Sequence, residues 1–183
     1  MKAADRLSHE QLLSCLDLGK ALTSELDPNR LLERIMDKVS ALFPSETWSL
    51  LILDEETETL RFELSIDLDL EQMKDVRLAL GQGAAGHCAL TQELLVLEDV
   101  RNHDLFYGKV DELSGFRTES LVCVPIVFAG RTLGVLTMVN PKTLDRANLA
   151  LLTAVSDYLA IGMENTRRYR ELRNMAIRDS LTG

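Results

Sequence analysis

Apolar residues recur at helical spacing toward both ends of the chain, and between them they run together or alternate with polar residues. Over residues 8–26 a stripe of Leu12, Leu16, Gly19, Leu22 and Leu26 predicts a helix. Asp27-Pro28 then restarts the chain, as an N-cap followed by a first helical residue whose missing N–H costs nothing. The second helix buries Leu31, Leu32, Ile35, Val39 and Leu42 and stops at Phe43-Pro44. Residues 48–53 form an apolar run of strand length. After the polar turn Asp54-Glu55-Glu56-Thr57, Leu60, Phe62 and Leu64 alternate with Arg61 and Glu63, which predicts an antiparallel hairpin.

The middle of the chain is less regular. A short strand is expected over 76–80, another over 94–97, and a polar loop with a helical turn over 101–114. Residues 120–128 and 133–139 read as two strong strands joined by Ala129-Gly130-Arg131. Pro125, which lacks an N–H, requires a bulge or an edge position in the first of them. A single helical pattern covers 146–178. Strands that come in pairs with short turns give an antiparallel sheet flanked by helices, an α+β fold of five to six strands with long helices at both ends.

Composition narrows the class. Of 183 residues 46% are hydrophobic and 27% charged, with a net charge of −9, as expected of one globular domain with a short appendage. The acidic balance disfavours nucleic acid or an anionic membrane as partner, and no apolar run is long enough to span a bilayer. The three cysteines (Cys15, Cys88, Cys123) form no CxxC pair, and no secretory signal opens the chain, so reduced thiols and a cytoplasmic location are expected. Residues 1–163 carry −11. Residues 164–183, with five arginines against three acids, carry +2, which sets a boundary near Glu164.

Candidate chemistry is sparse. Gly81-Gln82-Gly83-Ala84-Ala85-Gly86 matches GxGxxG, but no strong strand precedes it and the helix that follows is too short for a dinucleotide crossover, so a tight turn feeding a short helix is expected. His9, His87 and His103 lack metal-ligand spacing, and no serine has a nucleophile-elbow context. His87-Cys88 reads as a small buried thiol beside an ordinary histidine. Asp99, Arg101, Asn102, His103, Asp104, Phe106 and Phe116 cluster between two strands; a pocket rim and a solvated loop with turn hydrogen bonds are both open readings. In the last helix Leu151, Val155, Tyr158, Gly162, Asn165, Tyr169, Leu172 and Ala176 follow a 4-3 heptad spacing. Its first half is expected to pack on the sheet up to about Gly162, and the rest against a second copy of the chain.

Taken in order, Leu26-Asp27-Pro28, residues 48–54, residues 81–86, Leu97-Glu98-Asp99-Val100, residues 115–126, Gly130, Leu133-Gly134-Val135-Leu136, Asn140 and Glu164-Asn165 resemble a GAF domain. Arg178-Asp179-Ser180-Leu181-Thr182-Gly183 resembles the opening DxLTG of a GGDEF diguanylate cyclase domain. The two resemblances together imply an N-terminal helix (1–26), a GAF-like sensory domain (27–163), a signalling helix (164–178) and the start of a cyclase domain (179–183). They imply a pocket bordered by Asp99, Asn102, Phe106, Phe116, Thr118, Ser120 and Cys123, with an unknown ligand and no assigned cofactor. The expected function is that of a non-catalytic, dimerising sensor controlling a cyclic-di-GMP-forming cyclase in cis. Asn140-Pro141, Leu144 and Asn148 depart from the Asn-Lys…Phe…Asp-Glu motif of cyclic-nucleotide-binding members. Ala85 stands where the free methionine sulfoxide reductases of this fold carry a cysteine, and His87-Cys88 does not reproduce the bilin-binding motif. A purely structural dimerisation domain and a thiol reductase using Cys88 and Cys123 are the alternative expectations.

Overall fold

The computed structural model describes Leu13, residues 27–143 and residues 145–182; of the helix expected over 8–26 only Leu13 is described, and Cys15 and His9 lie outside the described residues. Helix α1 (Pro28–Leu42) starts as the sequence requires, with the Asp27 carboxylate accepting from Arg30 N at 3.3 Å and the Asp27 carbonyl from Leu31 N at 3.0 Å. The hairpin β1 (Thr47–Asp54) and β2 (Thr59–Ile66) follows, with the Asp54 carboxylate capping the turn through Glu56 N and Thr57 N. Next come α2 (Leu70–Met73), β3 (Arg77–Ala79), α3 (Gly83–Thr91) and β4 (Leu95–Leu97). A 3₁₀ turn (Val100–Asn102) and α4 (Lys109–Ser114) make up the segment expected to be mostly loop. The strands β5 (Leu121–Phe128) and β6 (Arg131–Val139) lead into α5 (Arg146–Thr182), whose first turn is capped by Asp145 through Asn148 N at 2.7 Å.

The six strands form one antiparallel sheet in the order β3-β2-β1-β6-β5-β4, the expected α+β arrangement. Strand alternation divides the interior in two. Trp48 and Leu50 of β1, Val122, Val124 and Ile126 of β5, and Leu136 and Met138 of β6 face α1 and α5. Leu51, Cys123 and Val135 face the opposite way, toward α3 and the 3₁₀ turn. Pro125 lies two residues past Cys123, the last residue of β5 paired with β4, so it removes no bond from that ladder. The register then shifts between Ile126 and Val127. Both outcomes offered for Pro125 therefore occur.

Strand β2 departs from its simple alternation. Leu50 pairs with Leu64 but Leu51 pairs with Phe62, so Glu63 is passed over as a bulge. One extra residue exchanges the two faces of a strand whose side-chain period is two. Leu60 and Phe62 consequently join the α3 side, whereas Leu64 and Ile66 pack on the α1–α5 side.

The glycine motif is a turn, as its context predicts. Gly81 (φ 83°) and Gly83 (φ 65°) occupy left-handed conformations, and Gly81 N donates to Gly86 O at 2.8 Å. Gly86 has an ordinary φ, but any Cβ there would collide with the Ala79 carbonyl of β3. Close approach of the β3 backbone to α3 is what this position requires.

Candidate functional site

The face of the sheet turned toward α3 carries polar side chains at positions where a dry core would not need them. Thr47 and Ser49 of β1 and Thr137 of β6 line a cavity of about 90 Å³ together with Leu51, Phe62 and Val139. Its other walls are the first turn of α3 (Gly83, Ala84, Ala85), Val100, the segment 105–107, and α4 with the chain after it. Phe62, Phe106, Tyr107 and Phe116 supply aromatic surface. Among the described residues Asp111 is the one charged lining residue, and no arginine, lysine or histidine lines the cavity.

The serine and threonine hydroxyls in the wall have protein partners. Thr47 Oγ1 donates to Ile66 O, Ser49 Oγ bonds Ser65 Oγ at 2.9 Å, and Thr137 Oγ1 donates to Ser49 O at 3.3 Å. Asp111 clamps α4 to the chain entering β5, accepting from Thr118 N at 2.8 Å and Thr118 Oγ1 at 2.5 Å, with Arg101 Nη2 at 3.8 Å. Ser114 Oγ donates to Val110 O at 2.7 Å.

Of the residues expected to border a pocket, Phe106, Phe116 and Thr118 do so. Asp99 and Asn102 do not. They are exposed, and Asn102 Nδ2 donates to Asp99 Oδ2 at 2.7 Å, so this end of the cluster is the solvated turn. Ser120 is also outside, its N–H taken by Asn140 Oδ1 at 3.0 Å. Asn140, at φ 48°, further accepts from Glu119 N and donates to Glu46 and to Arg117 O, so its amide serves as a structural brace. Cys123 is wholly buried in the cluster containing Cys88, and neither thiol reaches the cavity. Burial pushes the Cys88 thiol up to about 12; burial and then the neighbouring Cys88 raise Cys123 well above its ordinary value. Both stay protonated at neutral pH, a poor state for thiolate chemistry.

Thr47, Ser49, Tyr107, Asp111 and Thr137 are among the lining residues that sequence reasoning missed. A signal existed for two of them: Ser49 and Thr137 are single polar residues inside otherwise apolar strand runs, and β1–β6 pairing sets them opposite each other.

Residues 27–163 match the GAF domain family. The chain belongs to it. Similarity extends to the dual 3',5'-cyclic-AMP and -GMP phosphodiesterase 11 of Drosophila melanogaster, 26% identical over 183 residues, covering 91% of this chain and 12% of that one. The chain thus spans about an eighth of that relative's length. Among solved structures, the GAF domain of an Acinetobacter phosphoenolpyruvate-protein phosphotransferase superposes with a TM-score of 0.76 at 20% identity, covering 90% of this chain and 99% of that one. A free methionine-R-sulfoxide reductase from Neisseria meningitidis, solved with its substrate, gives 0.71 at 17%, covering 90% and 96%. These two likenesses establish the fold. GAF domains are regulatory small-molecule-sensing modules, generally non-catalytic, and in this GAF domain the cavity above lies on the sheet face opposite α1 and α5. Among the described residues no cluster of three or more His, Cys, Asp or Glu is placed to hold a metal, and no helix is long and apolar enough to cross a membrane.

The α5 positions expected to form a dimer seam lie on the other side of the sheet. Leu151 and Val155 correct that expectation, because both are buried in the chain's own core against β5 and α1 and have no surface left for a partner. Tyr158 is half-buried and Gly162 buried, whereas Asn165 is exposed and Tyr169 is 55% exposed. Leu172 lies on α5 beyond the described side chains.

Where α5 leaves the domain, Glu164 is buried among arginines. It accepts from Arg168 Nε at 2.9 Å and Arg131 Nη2 at 3.1 Å, with Arg167 Nε at 3.7 Å, and Arg131 also reaches Glu55 at 3.0 Å. The Arg168 hydrogen bond, against the opposing effect of burial and with help from Arg167, Arg168 and Arg131 charges, holds the carboxyl below its ordinary 4.5. A depressed folded value stabilises the fold above the unfolded pKa and loses that contribution as pH falls through the folded one. Acid titration of unfolding stability should therefore show a loss beginning below about pH 4.5. Glu164→Gln should flatten part of that slope while leaving the part due to Asp54, whose carboxyl is likewise lowered, chiefly by the Thr57 N–H.

Proposed function

We propose that this GAF domain is the sensory part of a longer cytoplasmic signalling protein, reads a ligand in the α3–α4 cavity, and passes the result through paired α5 helices to a diguanylate cyclase domain beginning at Asp179. The observation that carries this reading is the continuity of α5, which runs unbroken from Arg146, through the core residues Leu151 to Ala160, to Thr182, and through the Asp179-Ser180-Leu181-Thr182 sequence that resembles the cyclase opening. Tyr169 and Ile161, 55% and 44% exposed on that helix, support a homodimeric contact. A helix extending this far from its domain gains most of its stability from packing, which a second copy supplies. Ligand occupancy changes output only if the two helix arrangements bind the ligand with different affinity.

Sedimentation equilibrium tests the helical part. The 183-residue chain should be dimeric at micromolar concentration, and Tyr169→Glu should make it monomeric without loss of secondary structure. The longer protein carrying Tyr169→Glu should lose conversion of GTP to cyclic-di-GMP. A strict monomer at high concentration counts against the reading.

A further inference from the structure

We infer that the cavity's ligand is a small uncharged molecule built on a single aromatic ring, and not a nucleotide or other anion. The inference rests on the reading of that cavity as the sensory site and gives it a chemical class. Three observations carry it. The volume, about 90 Å³, is below that of an apolar cavity of about 150 Å³ that takes benzene, so nothing larger than one ring is accommodated. Charge is the second. A cationic side chain would stabilise a buried phosphate or carboxylate, yet among the described residues the lining offers none and places the Asp111 carboxylate in the wall. That carboxylate is itself engaged by Thr118, with Arg101 beside it, so a ligand cation finds a counter-ion already occupied. Third, the Thr47, Ser49, Thr137, Thr118 and Ser114 hydroxyls all have protein partners, and no buried side-chain polar atom among the described residues is left unpaired. Those hydroxyls are therefore committed within the protein, whereas Phe62, Phe106 and Phe116 offer faces and edges on which a ring packs.

The first turn of α3 also lines the cavity, and a helix N-terminus favours anions. An isosteric series separates the two possibilities. Benzyl alcohol, benzoate and benzylammonium should be titrated into the 183-residue protein at neutral pH and followed by ligand-observed NMR, with cyclic AMP as a further probe. Benzyl alcohol is expected to bind at least about tenfold more tightly than either charged analogue, because each must bury a charge without a free partner. Ala85→Leu, which fills the cavity from α3, should abolish that binding. Val110→Phe, which fills it from α4, serves if Ala85→Leu does not fold. Benzoate or cyclic AMP binding as tightly as benzyl alcohol would overturn the assignment. So would binding of benzyl alcohol that both filling variants leave unchanged, or no binding by any probe at millimolar concentration. The sensory reading is judged separately: if a filling variant alters cyclase output in the longer protein while no ring binds, the ligand class falls and the sensor stands. If benzyl alcohol binds and output never changes, the ligand class stands and the sensor falls.

Discussion

Gly86→Ala should lower the unfolding free energy by about 3 kcal/mol, at the upper end of what overpacking costs. The position has no special backbone conformation, so the whole penalty is steric: the added methyl meets the Ala79 carbonyl of β3, a backbone atom that cannot rotate away. Relief requires α3 to move off β3, and the first turn of α3 is a wall of the cavity. Ligand binding should fall with stability. Gly130→Ala is the matched control, because Gly130 sits at φ 78° with nothing within 4 Å of a Cβ. It should cost about 1 kcal/mol of backbone strain and leave the cavity untouched. Urea unfolding followed by circular dichroism measures both. Equal losses in the two variants would show that the α3–β3 approach is not tight.

Trp48→Ala should cost about 4 kcal/mol. Trp48 is 2% exposed, its Nε1 donates to Phe43 O at 3.1 Å, and its ring lies 6.3 Å from that of Phe43. Truncation would empty space between β1 and the end of α1 and leave the Phe43 carbonyl without that donor. Trp48→Phe should recover most of the packing but not the hydrogen bond, for a loss of about 1–2 kcal/mol. Because Trp48 is the only tryptophan, circular dichroism and not fluorescence must follow these variants. A loss below about 2 kcal/mol for Trp48→Ala would mean that the site collapses around the missing ring.

Local chemistry made most of the architecture readable. Asp27-Pro28 marks a helix start because capping is a property of two or three residues, and β1, β5 and β6 declare themselves as continuous apolar runs. The turn at Gly81 to Gly86 was legible for the same reason: a phosphate-binding role needs a strand before it and a full crossover helix after it, and both can be looked for nearby. The Glu63 bulge was not legible, because the skipped residue is fixed by how β2 meets β1, and Leu60, Phe62 and Leu64 alternate equally well with or without it. Within the site, Phe106 and Phe116 stood out as aromatics in a polar stretch. Asp99 and Asn102 shared that stretch but close a turn on each other, a distinction that depends on side-chain direction. Asp111 was hidden because its partner Thr118 is seven residues away across α4, and such a pairing leaves no periodic trace. In α5, Leu151 and Val155 obey the heptad as well as Tyr169 does. Only the position of the sheet decides which part of a continuous stripe faces inward.

The sheet ends in strands of three residues on both sides, β3 and β4. Beyond β4 the outer margin of β5 is uncovered, but there Pro125 has no N–H to offer and the shift after Ile126 breaks the line of hydrogen-bonding groups. A neighbouring molecule therefore finds no long, straight template onto which to add a strand. Such margins guard against edge-to-edge association, since a contact between sheet edges can propagate from molecule to molecule. The short margins turn strand addition away from the sheet.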